Sequence, residues 1–220
     1  MRLKKNVSSL LALTLILGSF VASNRTPAFA DELSSNINEL GIDVSNHQVR
    51  IETDGKMVID NETSRLTLVP NGGTITDKYG NVTQLTEEEL QQEAKSSVTF
   101  SVELGSTVSK KYQTELSVKK PTGSGYETAV KADVEIKVKC TGDKRIKATS
   151  SVSNLKGYNG YSPSKSTTDG ADSSTSTTKI TISATKGGKT NSNYWNSKNT
   201  VVSSAGSSQG YLVRVRQEWA

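Results

Sequence analysis

The chain has almost none of the residues that form disulfides and zinc sites. Its 220 residues include one cysteine, Cys140, and one histidine, His47. A single cysteine excludes a disulfide within the monomer, so the fold must be held by packing alone. Zinc sites use clustered His and Cys ligands, and one residue of each type argues against such a site. The sequence also has no calcium-binding loop and no Gly-rich phosphate motif, so we expect no metal and no cofactor.

Aromatic residues and long apolar runs are also scarce. Phe, Trp and Tyr together make up 5% of the chain, which predicts a thin core of modest stability. The one extended apolar run covers residues 10–21. A membrane-spanning helix needs about 20 apolar residues, and this run is shorter. We expect no transmembrane segment once the leader has been removed.

The first 30 residues have the three parts of a secretory signal peptide. A cationic start precedes the apolar run of residues 10–21, and Ala28-Phe29-Ala30 supplies a small-x-small cleavage pattern. The alternative is a membrane anchor that stays attached. The pattern predicts a secreted, extracellular protein that begins near Asp31, and the leader resembles those of exported proteins from Gram-positive bacteria.

The charges are distributed unevenly along the chain. The formal net charge is +5, but the mature chain would be nearly neutral because the leader is basic. Within it, residues 31–100 carry a net charge of −8 and residues 101–220 a net charge of +9. Such asymmetry is typical of an interaction region, although two ordinary solvated faces would give the same pattern. The near-neutral total gives no indication of nucleic-acid binding, and we expect none.

Apolar and polar residues alternate through much of the second half of the chain. The longest example is the apolar series Val130, Ala132, Val134, Ile136, Val138 and Cys140, whose intervening residues are all charged. A period of two places the two sets on opposite faces of a strand, so Cys140 should be buried. Similar series occur near residues 98–104, 112–118, 146–152, 180–184 and 211–215. They predict a mainly β protein with an antiparallel β-sandwich of immunoglobulin-like size, although a barrel would give a similar pattern.

We predict three segments along the chain. The signal peptide, residues 1–30, is followed by an acidic β-hairpin region at 31–95 and a basic antiparallel β-sandwich domain at 96–220. Thr86 has a glutamate three positions further on, which matches a capping box. This pattern predicts a short helix over residues 87–95, at the end of the acidic region.

Four aromatic residues lie in polar surroundings and are our candidate ligand-binding residues. They are Tyr158, Tyr161, Tyr194 and Trp195. The first two belong to a stretch rich in Gly, Ser and Thr, residues 156–178, which we interpret as a long mobile loop. Aromatic side chains in such segments can contact sugar rings or protein partners. The alternative is that Tyr194 and Trp195 fold back and cover one end of the core.

No group of residues typical of catalysis stands out. Cys140 has no nucleophile signature around it, and a buried thiol would not react with a distant His47. Asp133 and Glu135 share one strand face at a spacing that suits glycoside hydrolysis. They alternate with lysines, however, which is typical of an exposed sheet surface. We therefore expect no catalytic residues and a protein that is not an enzyme.

The leading hypothesis is a secreted, non-catalytic binding module whose partner is a cell-envelope polymer, a glycan or a protein. A second hypothesis is a secreted effector or toxin precursor, in which an acidic prosegment at 31–95 masks the basic domain. A third is a hydrolase whose site is not recognisable in the sequence. The mass of the secreted product distinguishes the second hypothesis from the first, and a screen of generic substrates tests the third.

Overall fold

The computed structural model describes residues 48–52, 56–86, 97–207 and 210–219. These residues form twelve β-strands. The strands are β1 (Gln48–Ile51), β2 (Met57–Asp60), β3 (Ser64–Thr76), β4 (Val82–Gln84), β5 (Ser97–Glu103), β6 (Thr107–Lys119), β7 (Tyr126–Gly142), β8 (Arg145–Gly157), β9 (Ser162–Thr168), β10 (Thr175–Lys186), β11 (Lys189–Ser207) and β12 (Gly210–Trp219). The predicted signal peptide lies outside the described residues.

The strands form two antiparallel sheets. In the first sheet the order is β1-β2-β3-β6-β7-β8, and β4 also pairs with β3. In the second sheet the order is β5-β12-β11-β10-β9. Neither order closes on itself. The prediction of a mainly β protein with antiparallel sheets is confirmed.

The inner faces of both sheets contribute to one buried apolar cluster. In the first sheet, Leu66, Tyr112 and Ile136 are each at most 1% exposed, and in the second sheet so are Ile180 and Trp195. Alternation produces this arrangement, because every second residue of a strand points to the same face. In β7 the predicted series is buried, including Cys140. This arrangement, two open sheets packed around one shared core, is consistent with a β-sandwich.

The segment 156–178 is not a long loop, and that prediction is wrong. Strand β8 runs to Gly157, β9 occupies Ser162–Thr168, and β10 begins at Thr175. Between β8 and β9 the chain turns at Asn159 and Gly160, whose φ angles of 52° and 77° are those of a type I′ turn. The hydroxyl-rich composition suggested a loop, but β9 is an edge strand with mostly exposed residues, so it needs few apolar side chains.

The free edge of β8 is covered by the segment that leads into β10. Ile146 and Ser173 exchange two backbone hydrogen bonds of 2.9 and 3.1 Å. The Gly170 amide donates to the Ala148 carbonyl at 2.9 Å, and the Ala148 amide donates to Ser176 Oγ at 2.8 Å. Unpaired edges of sheets are sites of unwanted association. This segment provides hydrogen-bond partners for backbone groups along the β8 edge and connects the first sheet to the second.

Residues from both sides of the predicted boundary at residue 96 lie in one sheet. Strand β3 pairs with β6 from Ser64↔Val118 to Thr76↔Thr107. The core cluster likewise includes residues of β2 and β3 together with those of later strands. The helix predicted over residues 87–95 lies outside the described residues. None of the residues that the structure describes is helical. Over this part of the chain, no helix is long and apolar enough to span a membrane.

Candidate functional site

Tyr158 and Tyr161 flank the turn that joins β8 to β9. The Tyr161 amide donates to the Tyr158 carbonyl at 2.9 Å, and both rings are partly exposed. The Tyr161 hydroxyl donates to Glu127 Oε1 at 2.9 Å, and Lys186 Nζ lies 4.9 Å from the centre of that ring. Burial and the neighbouring Glu127 carboxylate raise the pKa of Tyr161. The turn and these contacts therefore hold both tyrosines in defined positions beside the ends of β8 and β9.

Tyr194 and Trp195 point to opposite faces of the second sheet. Trp195 is 1% exposed, and its ring meets Tyr112 edge-on, with centroids 4.8 Å apart and planes at 84°. Tyr194 lies on the outer face, where Lys179 Nζ is 4.2 Å from its ring centre. Adjacent positions in a strand must diverge in this way. The four candidate aromatic residues therefore do not form one site, and Trp195 presents no surface to a ligand in this structure.

A shallow groove lies on the outer face of the first sheet and has a volume of about 340 Å³. Its walls come from β3, β6, β7 and β8, with Lys56 at one side. Its outward-facing lining side chains include Thr67, Val69, Gln113, Glu115, Lys131, Asp133 and Asn154. Strand register aligns most of them in two rows, Thr67–Glu115–Lys131 and Val69–Gln113–Asp133. The site is thus assembled from four strands that are far apart in sequence.

A β-bulge shapes the groove on the side of β8. The pairing of β7 with β8 shifts register between Lys131 and Asp133. Opposite the shift, Asn154 has a φ of 50°, and its Nδ2 donates to Asp133 Oδ2 at 2.5 Å. Bulges bend a strand and redirect its side chains, and they recur next to functional sites. The bulge therefore brings the Asn154 side chain beside Asp133 on the β8 side of the groove.

Glu115 is the carboxylate with the most hydrogen-bond donors in the groove. Thr128 Oγ1 and Ser117 Oγ donate to Glu115 Oε1 at 2.8 and 3.0 Å, and Lys131 Nζ lies 3.4 Å from Oε2. Partial burial alone would raise the pKa of Glu115, but these donors together hold it below its usual value. Glu115 is consequently ionised at neutral pH and serves as a fixed hydrogen-bond acceptor.

Lys131 connects the groove to one of the candidate aromatic residues. Besides its ion pair with Glu115, its Nζ lies 5.7 Å from the ring centre of Tyr158. Lys156, opposite Lys131 in the register, lies 5.5 Å from the same ring. Tyr158 therefore lies beside Lys131, which lines the groove. Two carboxylates, two amides and two ammonium groups thus line the groove, and the Tyr158 ring lies beside one of the ammonium groups.

Comparisons of the chain with protein-family models, with curated proteins and with solved structures find no match. The chemistry of the groove must therefore be inferred from its own residues.

Glu135 on the outer face of β7 lacks the environment of the general acid in a glycosidase pair. Glu135 accepts a hydrogen bond from Ser109 Oγ at 2.5 Å and lies 3.1 Å from Lys137 Nζ. Burial opposes ionisation, but these two partners outweigh it and lower the pKa of Glu135. A general acid requires a raised pKa so that it holds a proton at neutral pH. Glu135 and Glu115 both show the opposite shift.

Cys140 is a buried residue of the core. The side chain is buried, and its thiol lies 3.5 Å from the Gly142 carbonyl, to which it donates a hydrogen bond. Burial raises the pKa of the thiol, which disfavours the nucleophilic thiolate. The proposed partner His47 lies outside the described residues.

Sequence reasoning did not find most of the groove. Gln113, Glu115 and Asn154 are isolated polar residues in the sequence, and each occupies an outward position of its strand. Their alternation with buried residues was visible, but alternation gives no strand order or register. Tyr158 was found because an aromatic residue between glycines and asparagines is unusual.

Proposed function

We propose that this chain is a secreted, non-catalytic binding module that recognises a glycan in the groove of the first sheet. The observation that carries the proposal is the set of fixed polar groups around the groove, with Tyr158 beside Lys131. Sugars present hydroxyl groups around a partly apolar ring. Carboxylates and amides match the hydroxyl groups, and an aromatic face matches the ring.

Preorganisation of the acceptors supports binding. Glu115 and Asp133 are already oriented by donors from Thr128, Ser117 and Asn154. A ligand hydroxyl can donate to the remaining lone pairs without a rearrangement of these side chains. Ordering costs are then small, which favours affinity in a shallow site. The lowered pKa of Glu115 supports binding rather than acid catalysis.

The test is binding of the full-length secreted product to an array of envelope and host oligosaccharides, followed by calorimetry with each ligand that binds. Gln113→Ala and Tyr158→Ala should each weaken binding roughly three- to tenfold, because each removes one contact of about 1 kcal/mol. Matched controls are Gln84→Ala in β4 and Tyr79→Ala, whose side chain is 77% exposed in the turn before β4. Both controls should bind as the wild type does.

Two results would contradict the proposal. One is an array without any bound oligosaccharide. The other is an affinity that changes equally in the groove variants and in their controls. Turnover of a bound oligosaccharide, followed by chromatography of the incubated ligand, would instead favour the hydrolase hypothesis.

A further inference from the structure

The outer face of the second sheet, opposite in the sandwich to the groove, is a hydroxyl-rich surface crossed by cations. On β9, β10 and β11 its outward residues are mostly serine and threonine. Hydroxyl pairs bridge β10 and β11, with Ser183 Oγ 2.7 Å from Ser192 Oγ and Thr185 Oγ1 2.8 Å from Thr190 Oγ1. The face is therefore polar and presents many hydrogen-bonding groups.

Four cations form a diagonal line across this face, which we call the cationic stripe: Lys179, Lys198, Arg216 and Arg214. Lys179 of β10 is opposite Asn196, and Lys198 lies two residues further along β11. Lys198 is opposite Glu218, and Arg216 lies two residues before it in β12. Diagonal neighbours in antiparallel sheets are about 7–8 Å apart, and residues i and i+2 of one strand are about 7 Å apart. The stripe thus places a positive charge roughly every 7 Å.

Two carboxylates lie on the same face. Glu218 is opposite Lys198 and lies 3.9 Å from Arg216 Nη1, a long and partly exposed ion pair. Glu103 is opposite Leu212, beyond the Arg214 end of the stripe. Exposed pairs of this geometry are weak. The four cations therefore outnumber the two carboxylates, and the face retains a positive field.

The spaces between the cations hold hydroxyl groups rather than aromatic rings. Thr177 and Ser203 occupy outward positions in the rows of Lys198 and Arg214. Thr200 lies in the row of Arg216, but its Oγ1 is buried. Among the side chains that the structure describes, Tyr194 is the one aromatic residue beside the stripe, and Lys179 lies over its ring at 4.2 Å. Surfaces that bind single-stranded nucleic acids stack successive bases on several aromatic side chains. This face lacks such a series over its described residues.

We propose that the cationic stripe binds a linear polyanion of phosphodiester-linked polyols that carries no bases. Each phosphate would lie near one cation, and the intervening polyol hydroxyls would bond to the hydroxyl groups of Thr177 and Ser203. A short polyol between phosphates gives the polymer a charge spacing comparable to that of the stripe. This site is separate from the groove and does not depend on the glycan proposal, because the two lie on different sheets.

The experiment measures binding of the full-length secreted product to a fluorescent oligomer of poly(glycerol phosphate) at several salt concentrations. Four phosphate contacts predict a slope of log K against log salt on the order of −3, at about −0.7 per contact. At 0.1 M salt one contact corresponds to about a fivefold change in affinity, so Lys198→Gln with Arg216→Gln should weaken binding about 25-fold. Lys179→Gln with Arg214→Gln removes the other two cations and should give a similar loss.

The control is a double variant, Lys139→Gln with Lys147→Gln, which removes the same charge from the outer face of the first sheet. These two lysines are exposed and opposite each other in β7 and β8. The control should bind within twofold of the wild type, as should the groove variant Gln113→Ala. Thermal unfolding of every variant confirms that the fold is retained.

Three results would overturn the proposal. The first is no binding of the oligomer at low salt. The second is an equal loss in the stripe and control variants, which would assign binding to net charge alone. The third is equally tight binding of an oligothymidylate of the same charge, which would remove the preference for a polymer without bases.

Discussion

At the scale of single residues, the direction of a side chain determines whether an aromatic residue stabilises the fold or is accessible to a ligand. Tyr194 and Trp195 are neighbours in the sequence and share the same polar surroundings. In β11 they point to opposite faces, and Trp195 packs edge-on against Tyr112 in the core. Sequence composition alone could not separate their roles.

This difference predicts unequal costs for two neighbouring substitutions. Trp195→Ala should lower the free energy of unfolding by about 3–5 kcal/mol, because it opens a large cavity in the core. Tyr194→Ala should cost about 1 kcal/mol, since it removes one partly exposed ring and its contact with Lys179. Urea denaturation measures both values. A similar small cost for both variants would show that Trp195 is not a core residue.

Asp60 predicts a particular dependence of stability on pH. It accepts a hydrogen bond from Arg65 Nε at 2.7 Å and pairs with Arg50. Partial burial opposes ionisation, but the two arginines lower the pKa of Asp60 below its usual value. A depressed pKa in the folded state stabilises the protein above about pH 4, the unfolded value, and this stabilisation is lost as the pH falls through the folded value.

Asp60→Asn should therefore lower the melting temperature at pH 7, and its difference from the wild type should shrink below about pH 4. The control is Glu103→Gln, which changes an exposed carboxylate on another strand. Thermal unfolding between pH 3 and pH 7 gives the comparison. If the difference in melting temperature between Asp60→Asn and the wild type stayed constant over this range, the ion pairs of Asp60 with its two arginines would not contribute to stability.

At the scale of elements, the connection between β9 and β10 covers the edge of the first sheet at β8. Gly170 is buried, and a Cβ built on it would lie 2.2 Å from Ser176 Oγ and 2.8 Å from the Thr177 nitrogen. Ser176 Oγ in turn accepts the hydrogen bond from the Ala148 amide. The close approach of these segments leaves no room for a side chain at position 170.

Gly170→Ala should consequently destabilise the protein by about 1–3 kcal/mol, the usual cost of overpacking. Gly206→Ala is the matched control in β11, because nothing lies within 4 Å of the added Cβ. It should change stability by no more than about 0.5 kcal/mol. Denaturant titration of both variants gives their free energies of unfolding. Equal losses in the two variants would contradict a close contact between Gly170 and Ser176.

At the scale of the whole molecule, the acidic and basic regions contribute to one core. Strands β1 to β4 come from the acidic region and pair through β3 with β6 of the basic region. The prosegment hypothesis would remove these strands at a cut near residue 96. Such a cut would leave the edge of β6 unpaired and would remove Met57, Ile59, Leu66 and Leu68 from the core.

A chain of residues 97–220 should therefore fail to fold as a stable monomer, whereas residues 31–220 should unfold cooperatively. Circular dichroism and size-exclusion chromatography of the two chains give the comparison. A cooperative, monomeric 97–220 chain would support the prosegment hypothesis. The mass of the natural product complements this test, because the binding-module hypothesis expects a single species that begins near Asp31.

The sequence by itself determined the strand periodicity, the antiparallel class and the burial of Cys140. These follow from local geometry, because alternation along a strand needs no knowledge of its partners. The same reasoning misassigned β9, where an edge strand needs little apolar surface and its composition therefore resembles that of a loop.

Only the tertiary structure determined which strands are neighbours and in what register. Gln113, Asp133 and Asn154 come together through two strand pairings and one bulge. The cations of the stripe likewise align only because β10, β11 and β12 are adjacent. Sites on sheet surfaces combine residues that are distant in sequence. Their positions depend on strand pairing, which is determined by the packing of the whole core and not by local sequence.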